Sequence, residues 1–225
     1  MSMEISEASR ARPRWVIPAL ALTAMAIATW FAFAIVRAVP PAAFDAGPAA
    51  SVLRVPLPLP AFALTDHEGR RFDESRLDGR WSFLMFGYTS CPDVCPMTLV
   101  NFRDAREIVA KTGDDAGLAN TQFVFVSVDP ERDTTERLAR FVPYFHSDFI
   151  GATGDPDDLG VLTGALGIYH AKAEGGGESE YLVDHTTSAM LIDPQRQLRA
   201  IFPAPHEPGA VAEAFLKIRR HGEGR

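Results

Sequence analysis

The stretch W-S-F-L-M-F-G-Y-T-S-C-P-D-V-C-P-M-T-L, residues 81 to 99, carries the pattern that decides the fold. Residues 81 to 87 form a continuous apolar run, which is typical of a strand buried on both faces of a sheet. A loop that holds both cysteines of the chain, Cys91 and Cys95, follows at once. A helix is then predicted from about Pro96 to Thr112, because proline at the first helical position loses no hydrogen bond.

Strand and helix patterns alternate along the rest of the chain, and this order predicts an α/β protein with a layered sheet. A cysteine pair between a buried strand and a helix N-terminus indicates a thioredoxin-like fold, in which helices flank a central mixed sheet. Pro143 is expected to kink or shorten the helix that contains it. The predicted elements are a hairpin from Ala61, strands at Gln122–Val128, around Phe149, at Ser188–Asp193 and at Gln197–Phe202, and helices at Thr134–Phe145, Asp155–Leu166 and from Pro208.

Residues 15 to 36 contain no charged side chain. With a helical rise of ~1.5 Å per residue, this segment is about 33 Å long, close to the ~30 Å hydrocarbon core of a bilayer. It predicts one transmembrane helix. A cleaved signal peptide is the alternative, although the apolar region of such a peptide usually has only ~7–15 residues. Arg10, Arg12 and Arg14 precede the segment and only Arg37 closely follows it, so the positive-inside rule predicts a cytoplasmic N-terminus.

The exported part, from residue 38 onward, has 18 basic and 27 acidic residues, which give a formal charge of −9. Such a surface repels nucleic acid, so nucleic acid is not expected among the partners. The predicted division is a cytoplasmic N-terminus at 1–14, an anchor at 15–36, a Pro/Ala-rich extended tether at 37–57, a thioredoxin-like domain at 58–221 and a tail at 222–225.

The two cysteines lie four residues apart, and three chemistries can use such a pair: a structural disulfide, a thiol redox pair or part of a metal site. A disulfide across four residues constrains little of the unfolded chain, so it would stabilise the fold only weakly. A helix N-terminus lowers the pKa of a cysteine, and thiolate is both the redox nucleophile and the metal ligand. Both sulfurs can point inward from one turn and hold one soft ion, for which Cu(I) is the leading candidate.

A metal bound by two thiolates still needs a third ligand. His185 precedes a predicted core strand, 90 residues after Cys95, and the loop before this strand faces the cysteine turn in a thioredoxin-like layout. The residues alone leave His185 as either a ligand or a polar loop residue. The other five histidines are expected to be solvated structural residues: His67, His146, His170, His206 and His221.

Four neighbours of these motifs also have side chains that suit a metal site. Asp129 at a strand end, and Asp184 beside His185, are either groups that orient the ligands or ordinary strand-end caps. Met97 and Met190 carry thioethers, but their apolar settings favour packing in the core.

Three ordered motifs resemble those of the Sco/SenC family of copper proteins. They are G-Y-T-S-C-P-D-V-C-P-M-T-L at 87–99, V-S-V-D-P-E-R-D-T at 126–134 and D-H-T-T-S-A-M-L-I-D-P at 184–194, within a similarity that runs over roughly 58–218. The resemblance implies a thioredoxin-like domain that binds one copper ion, Cu(I) or Cu(II), through Cys91, Cys95 and His185. It also implies a role in building the copper centre of a terminal respiratory oxidase.

The leading hypothesis is therefore a copper chaperone, a delivery protein rather than an enzyme, on the periplasmic face of a bacterial inner membrane. Its expected partners are the copper-receiving subunit of a terminal oxidase, other copper chaperones and a thioredoxin-like reductant. Cys91 and Cys95 are also expected to form a reversible, redox-active disulfide, because Cα atoms one helical turn apart lie within the usual disulfide range. The alternatives are a thiol–disulfide oxidoreductase that reduces an oxidase subunit and, less well supported by the motifs, a peroxiredoxin-like peroxide reductase.

Overall fold

The computed structural model describes residues 22, 24–33, 44–113, 115–173 and 181–223, and the chain divides into two units, Met1–Ala42 and Ala43–Arg225. In the first unit, residues 24–33 form a helix, α1, whose large apolar side chains are exposed. Among the described residues, no helix combines the length and the hydropathy that a bilayer span requires. Apart from Leu22, the other residues of the predicted span at 15–36 lie outside the described residues, so the anchor stays a prediction.

The second unit is built on one eight-stranded mixed sheet, and two further strands form a separate hairpin. The strands of the sheet are β1 Ser51–Pro58, β2 Ala63–Asp66, β3 Arg71–Asp73, β4 Trp81–Gly87, β5 Thr121–Ser127, β6 Ile150–Thr153, β9 Ala189–Ile192 and β10 Gln197–Phe202, and those of the hairpin are β7 His170–Lys172 and β8 Val183–His185. The strand order in the sheet is β1-β10-β9-β4-β5-β6-β2-β3. The neighbouring strands β4, β5 and β6 run parallel, and the remaining pairings in the sheet are antiparallel.

Helices flank this sheet, as the thioredoxin-like prediction requires. They are α2 Val94–Lys111, α3 Asp115–Ala119, α4 Thr135–Phe141, α5 Pro156–Leu166 and α6 Pro208–Glu223. Helix α2 lies against α6, and the apolar stripe of α2 that includes Leu99, Phe102 and Val109 is buried. The predicted early end near Pro143 is confirmed, because α4 stops at Phe141 and a 3-10 turn over Val142–Tyr144 replaces its last turn.

Strand β4 lies at the centre of the sheet and has the bounds that its apolar run predicts. All seven of its residues are buried. Its Phe83 lies within 5.0 to 5.3 Å, between ring centroids, of four other aromatic rings: Phe102, Phe123, Phe202 and Phe215. This cluster anchors β4 in the core, and the cysteine loop begins where β4 stops.

The predicted tether at 37–57 is wrong over its last residues. Residues 51–57 belong to β1, which pairs with β10 in the main sheet, and Ala46 and Ala50 are buried before it. The prolines at 56 and 58 suggested an extended linker, but proline is also compatible with an edge strand, where one side of the backbone needs no partner. Strand β1 is such an edge, and its register shifts between Val52 and Leu57.

Candidate metal centre

Three side chains that the sequence analysis selected come together at one end of the sheet. The ligand atoms of Cys91, Cys95 and His185 all lie within 4.8 Å of one another. Cys95 Sγ lies 3.3 Å from His185 Nε2. The fold brings together Cys95 and His185, which are 90 residues apart in the sequence, as the thioredoxin-like layout predicts.

The cysteines are placed by the start of α2. This helix begins at Val94, two residues before the predicted start, so Cys95 lies in its first turn and Pro96 follows within that turn. The first N–H groups of a helix have no partner inside it, which is why proline is tolerated there. The N–H of Cys95 donates to Cys91 Sγ at 3.4 Å, and the N–H of Cys91 donates to the Tyr88 carbonyl at 3.2 Å.

The two sulfurs differ in exposure. Cys95 is only 3% exposed, whereas Cys91 is partly exposed. Burial, followed by the contact with Cys91, raises the pKa of the Cys95 thiol well above its ordinary value. The expectation that the helix N-terminus lowers the pKa is therefore wrong for Cys95, because desolvation is the largest influence on this thiol. A cation is needed to hold this sulfur as a thiolate.

Gly87, the last residue of β4, leaves room for the buried sulfur. A Cβ atom at this position would lie 2.6 Å from Cys95 Sγ and 2.9 Å from the Phe125 ring. Neither neighbour has free space to move into, because Phe125 is itself buried in the core. The site therefore requires a glycine at position 87, because any side chain there would clash with Cys95.

His185 is the last residue of β8, and its ring has a defined tautomer. Its Nδ1 lies 3.0 Å from the Thr186 carbonyl, which can only accept a hydrogen bond, so Nδ1 carries the proton. Nε2 is thereby left with a free lone pair facing Cys95, as a metal-binding imidazole requires. The ring meets the Tyr88 ring edge-on at 6.0 Å between centroids.

A buried carboxylate anchors the residues before Cys91. Asp133 accepts hydrogen bonds from Thr89 N at 2.8 Å, from Thr89 Oγ1 at 2.5 Å and from Ser127 Oγ at 2.7 Å. Arg137 adds a bond of 2.6 Å to Thr89 Oγ1 and one of 2.8 Å to Ser90 Oγ. Sequence reasoning missed Asp133, which lies within the second motif, and Arg137, which lies three residues after it.

The four neighbouring residues whose side chains suit a metal site, Asp129, Asp184, Met97 and Met190, differ in burial and in their contacts. Asp129 is buried and bonds to the hairpin that carries His185, whereas Asp184 is exposed and the His185 Nδ1 bonds to the Thr186 carbonyl instead. Met190 is 3% exposed in β9, as predicted for packing. Met97 is 52% exposed, so the packing prediction is wrong for it; it lies on the outer face of α2.

The other histidines have structural contacts of their own. His67 accepts from Gly151 N, His146 accepts from Asp148 N, His206 bonds to the Phe202 carbonyl and the His221 ring stacks on Phe44 at 4.1 Å. His170 is directly opposite His185 in the β7–β8 register, yet among the described residues it is not a member of the cluster.

The cluster has two soft sulfur donors and one imidazole, a set that suits copper and zinc and disfavours hard ions such as magnesium and calcium. Both cysteines are free thiols in this structure. The same sulfurs can bind a metal as thiolates or join in a disulfide, but they cannot do both at once. Fold and site together define a thioredoxin-like protein with a two-cysteine, one-histidine cluster whose geometry suits a metal ion.

The chain belongs to the SCO1/SenC family, whose model matches residues 57–220. The mitochondrial protein SCO1 homolog 1 of Arabidopsis thaliana is 34% identical over 161 residues, which are 71% of this chain and 47% of that protein. The chain therefore spans about half the length of this curated relative.

Solved structures agree with the family assignment. Arabidopsis thaliana ScoI with copper bound is 31% identical, with a TM-score of 0.66, and the match covers 72% of this chain and 98% of that one. Yeast Sco1 with copper bound is 26% identical, with a TM-score of 0.65, and the match covers 76% of this chain and 91% of that one.

Proposed function

We propose that this protein carries one copper ion on Cys91, Cys95 and His185 and delivers it to the copper-receiving subunit of a terminal respiratory oxidase. The single observation that carries the proposal is the convergence of these three ligand atoms within 4.8 Å. Related proteins of the same fold have been solved with copper bound, which supports copper rather than zinc as the ion. The copper is cargo, so the site must bind the ion and later release it.

Each residue of the cluster has a distinct part in this function. Cys95 supplies the buried sulfur and releases its proton when copper binds. Cys91 supplies the more exposed sulfur, which an incoming ligand can reach. His185 offers Nε2, and its protonated Nδ1 is held by the Thr186 carbonyl. Cu(I) is stable on two soft sulfurs, whereas Cu(II) prefers a nitrogen donor and a higher coordination number.

Delivery to a membrane oxidase requires a place beside it. We propose a single span at 15–36 with the N-terminus in the cytoplasm of a bacterium and the copper domain in the periplasm. The uncharged run, the arginines on its N-terminal flank and the exposed apolar side chains of α1, such as Trp30 and Phe31, support this arrangement. A reporter fused after Arg225 that functions only outside the cytoplasm should be active.

The decisive experiment compares two histidines of the same hairpin. In His185→Ala we expect loss of Cu(II) binding and weaker Cu(I) binding, because the nitrogen donor is gone and the two sulfurs remain. His170→Ala is the matched control, since His170 is paired with His185 but lies outside the cluster. Copper content and affinity are measured on the reduced, purified domain. Equal copper binding by His185→Ala and the native protein would contradict the proposal.

A second candidate function, thiol–disulfide exchange, is favoured by the partly exposed thiol of Cys91 next to a second free thiol. His185 separates the two functions, because exchange needs only the sulfurs. If His185→Ala cells assemble a fully active oxidase at limiting copper while Cys91→Ala cells do not, thiol chemistry is the function.

A further inference from the structure

The second sequence motif, S-V-D-P-E-R-D at residues 127–133, lies between the two halves of the metal cluster. It follows β5, and its last residue, Asp133, holds the cysteine turn through Thr89. Its middle residues, Asp129 and Arg132, face the other way, toward the hairpin of β7 and β8. The motif therefore contacts both the segment that carries the sulfurs and the segment that carries the imidazole.

On the hairpin side, Asp129, Arg132 and Tyr181 each contact the other two. The Tyr181 hydroxyl donates to Asp129 Oδ1 at 2.7 Å, and Arg132 Nε donates to Asp129 Oδ2 at 2.5 Å. Arg132 Nη1 donates to the Tyr181 carbonyl at 3.0 Å, and the guanidinium lies 3.7 Å from the centroid of the Tyr181 ring. We call Asp129, Arg132 and Tyr181 the clasp.

The clasp holds the segment that leads into β8, because Tyr181 lies two residues before this strand and His185 is its last residue. Arg132 also lies 5.7 Å from the centroid of the Tyr88 ring, and the edge of that ring meets His185. Asp129 and Tyr181 are 3% and 7% exposed, so these bonds are shielded from water and are stronger than surface contacts.

The hairpin is held by the clasp and by Lys172, which pairs with Glu131 at 2.6 Å and lies 4.6 Å from the centroid of the Tyr181 ring. It is a separate two-stranded sheet, and a two-stranded sheet is marginally stable by itself. Its residues His170, Lys172 and Val183 line a cavity of about 160 Å³, and Val183 is itself buried. The position of His185 relative to Cys95 thus depends on a few polar contacts.

We propose that Asp129, Arg132 and Tyr181 are positioning residues that hold His185 at the cluster. They thereby set the ratio of the affinities of the cluster for Cu(II) and Cu(I). The inference rests on the proposed function, since it assumes that copper binds to Cys91, Cys95 and His185. A loosened hairpin removes the nitrogen donor for part of the time. This loss affects Cu(II) most, because Cu(I) remains stable on the two sulfurs alone.

The test is Tyr181→Phe, which removes one hydroxyl and keeps the ring under Arg132. We expect Cu(II) affinity to fall about 10-fold, the lower end of the effects seen when a group that orients a metal ligand is lost. Cu(I) affinity should change by less than the Cu(II) affinity, and the nitrogen hyperfine splitting in the Cu(II) electron paramagnetic resonance spectrum should weaken. Tyr169→Phe is the matched control, because Tyr169 is a tyrosine beside the same hairpin with 64% of its surface exposed.

A second variant, Arg132→Lys, keeps the charge and removes the forked hydrogen bonds, and it should shift the ratio of Cu(II) to Cu(I) affinity in the same direction. Unchanged ratios and spectra in both variants, with a copper-binding native protein, would overturn the clasp and leave the proposed function intact. An equal loss of both affinities together with a lower melting temperature would show a general structural role and would also overturn it. A native protein that binds neither ion would remove both proposals.

Discussion

The two halves of the metal cluster are held by different parts of the molecule. The cysteine half is continuous with the core, because Cys95 is 3% exposed and follows the fully buried strand β4. The histidine half is on a small hairpin beside the main sheet, where His185 is partly exposed and the facing strand has three residues. The sulfurs are therefore fixed by burial, whereas the imidazole is fixed by a few directed polar bonds.

The largest expected effect is on the cysteine half. Phe83→Ala removes a ring that contacts four others in the core, and it should lower the free energy of unfolding by about 3–5 kcal/mol. Chemical denaturation of the reduced domain measures the change. If the loss stays below about 1 kcal/mol, the core does not support the cysteine turn in the way described.

Asp133→Ala should have the next largest effect. It leaves Thr89 N without its acceptor and takes the buried carboxylate from beside Arg137, so a loss of about 3 kcal/mol is expected. The control is Glu213→Ala, since Glu213 pairs with Lys217 on the exposed face of α6 and should not change the stability measurably. Comparable losses in the two variants would mean that the Asp133 network does not stabilise the turn.

Alkaline pH should weaken the cysteine half by a smaller amount. The folded pKa of Cys95 is raised above its ordinary value of 9.0, so the unfolded chain loses this proton first as the pH rises. The stability that the thiol contributes is complete below about pH 9 and falls above it, by at most about 1.4 kcal/mol per pH unit. Burial also raises the pKa of Tyr88 and Tyr181, which act in the same direction.

The contribution of Cys95 is isolated by comparing the native domain with Cys95→Ala, both reduced and free of copper. The difference between their unfolding free energies should shrink as the pH rises from 9 to 10.5. A difference that is constant over this interval would show that the buried thiol ionises as easily as an exposed one.

The smallest effect is expected on the hairpin. Leu182→Ala truncates a side chain that is 53% exposed, so the unfolding free energy should change by no more than about 0.5 kcal/mol. A loss as large as that of Phe83→Ala would remove the contrast between the two halves, because it would make the hairpin part of the core.

Much of this arrangement is predictable from the sequence. The seven-residue apolar run gives β4 its bounds, and the strand-loop-helix order places Cys91 and Cys95 at a helix start. His185 follows from the order of the motifs and from the thioredoxin-like layout. These features are local, or they repeat a known sequence pattern, so one sequence is enough to find them.

The supporting contacts are not predictable in the same way. Asp133 meets Thr89 across 44 residues and Asp129 meets Tyr181 across 52 residues, and each acid is equally compatible with a cap at the end of β5. The pKa of Cys95 depends on a balance between burial and the helix dipole, which a sequence cannot weigh. Strand β1 was missed because proline suits an extended linker and an edge strand alike.

Under the proposed function, the unequal exposure of the two sulfurs sets the order of the steps in copper transfer. An acceptor thiolate can approach only from the solvent side, so it meets the ion where Cys91 holds it and forms its first bond there. Cys95, which is buried beside Gly87 at the end of β4, would then be the last sulfur to release the ion. We therefore expect the ion to pass through a shared state in which donor and acceptor both hold it, and at no stage to be released into water.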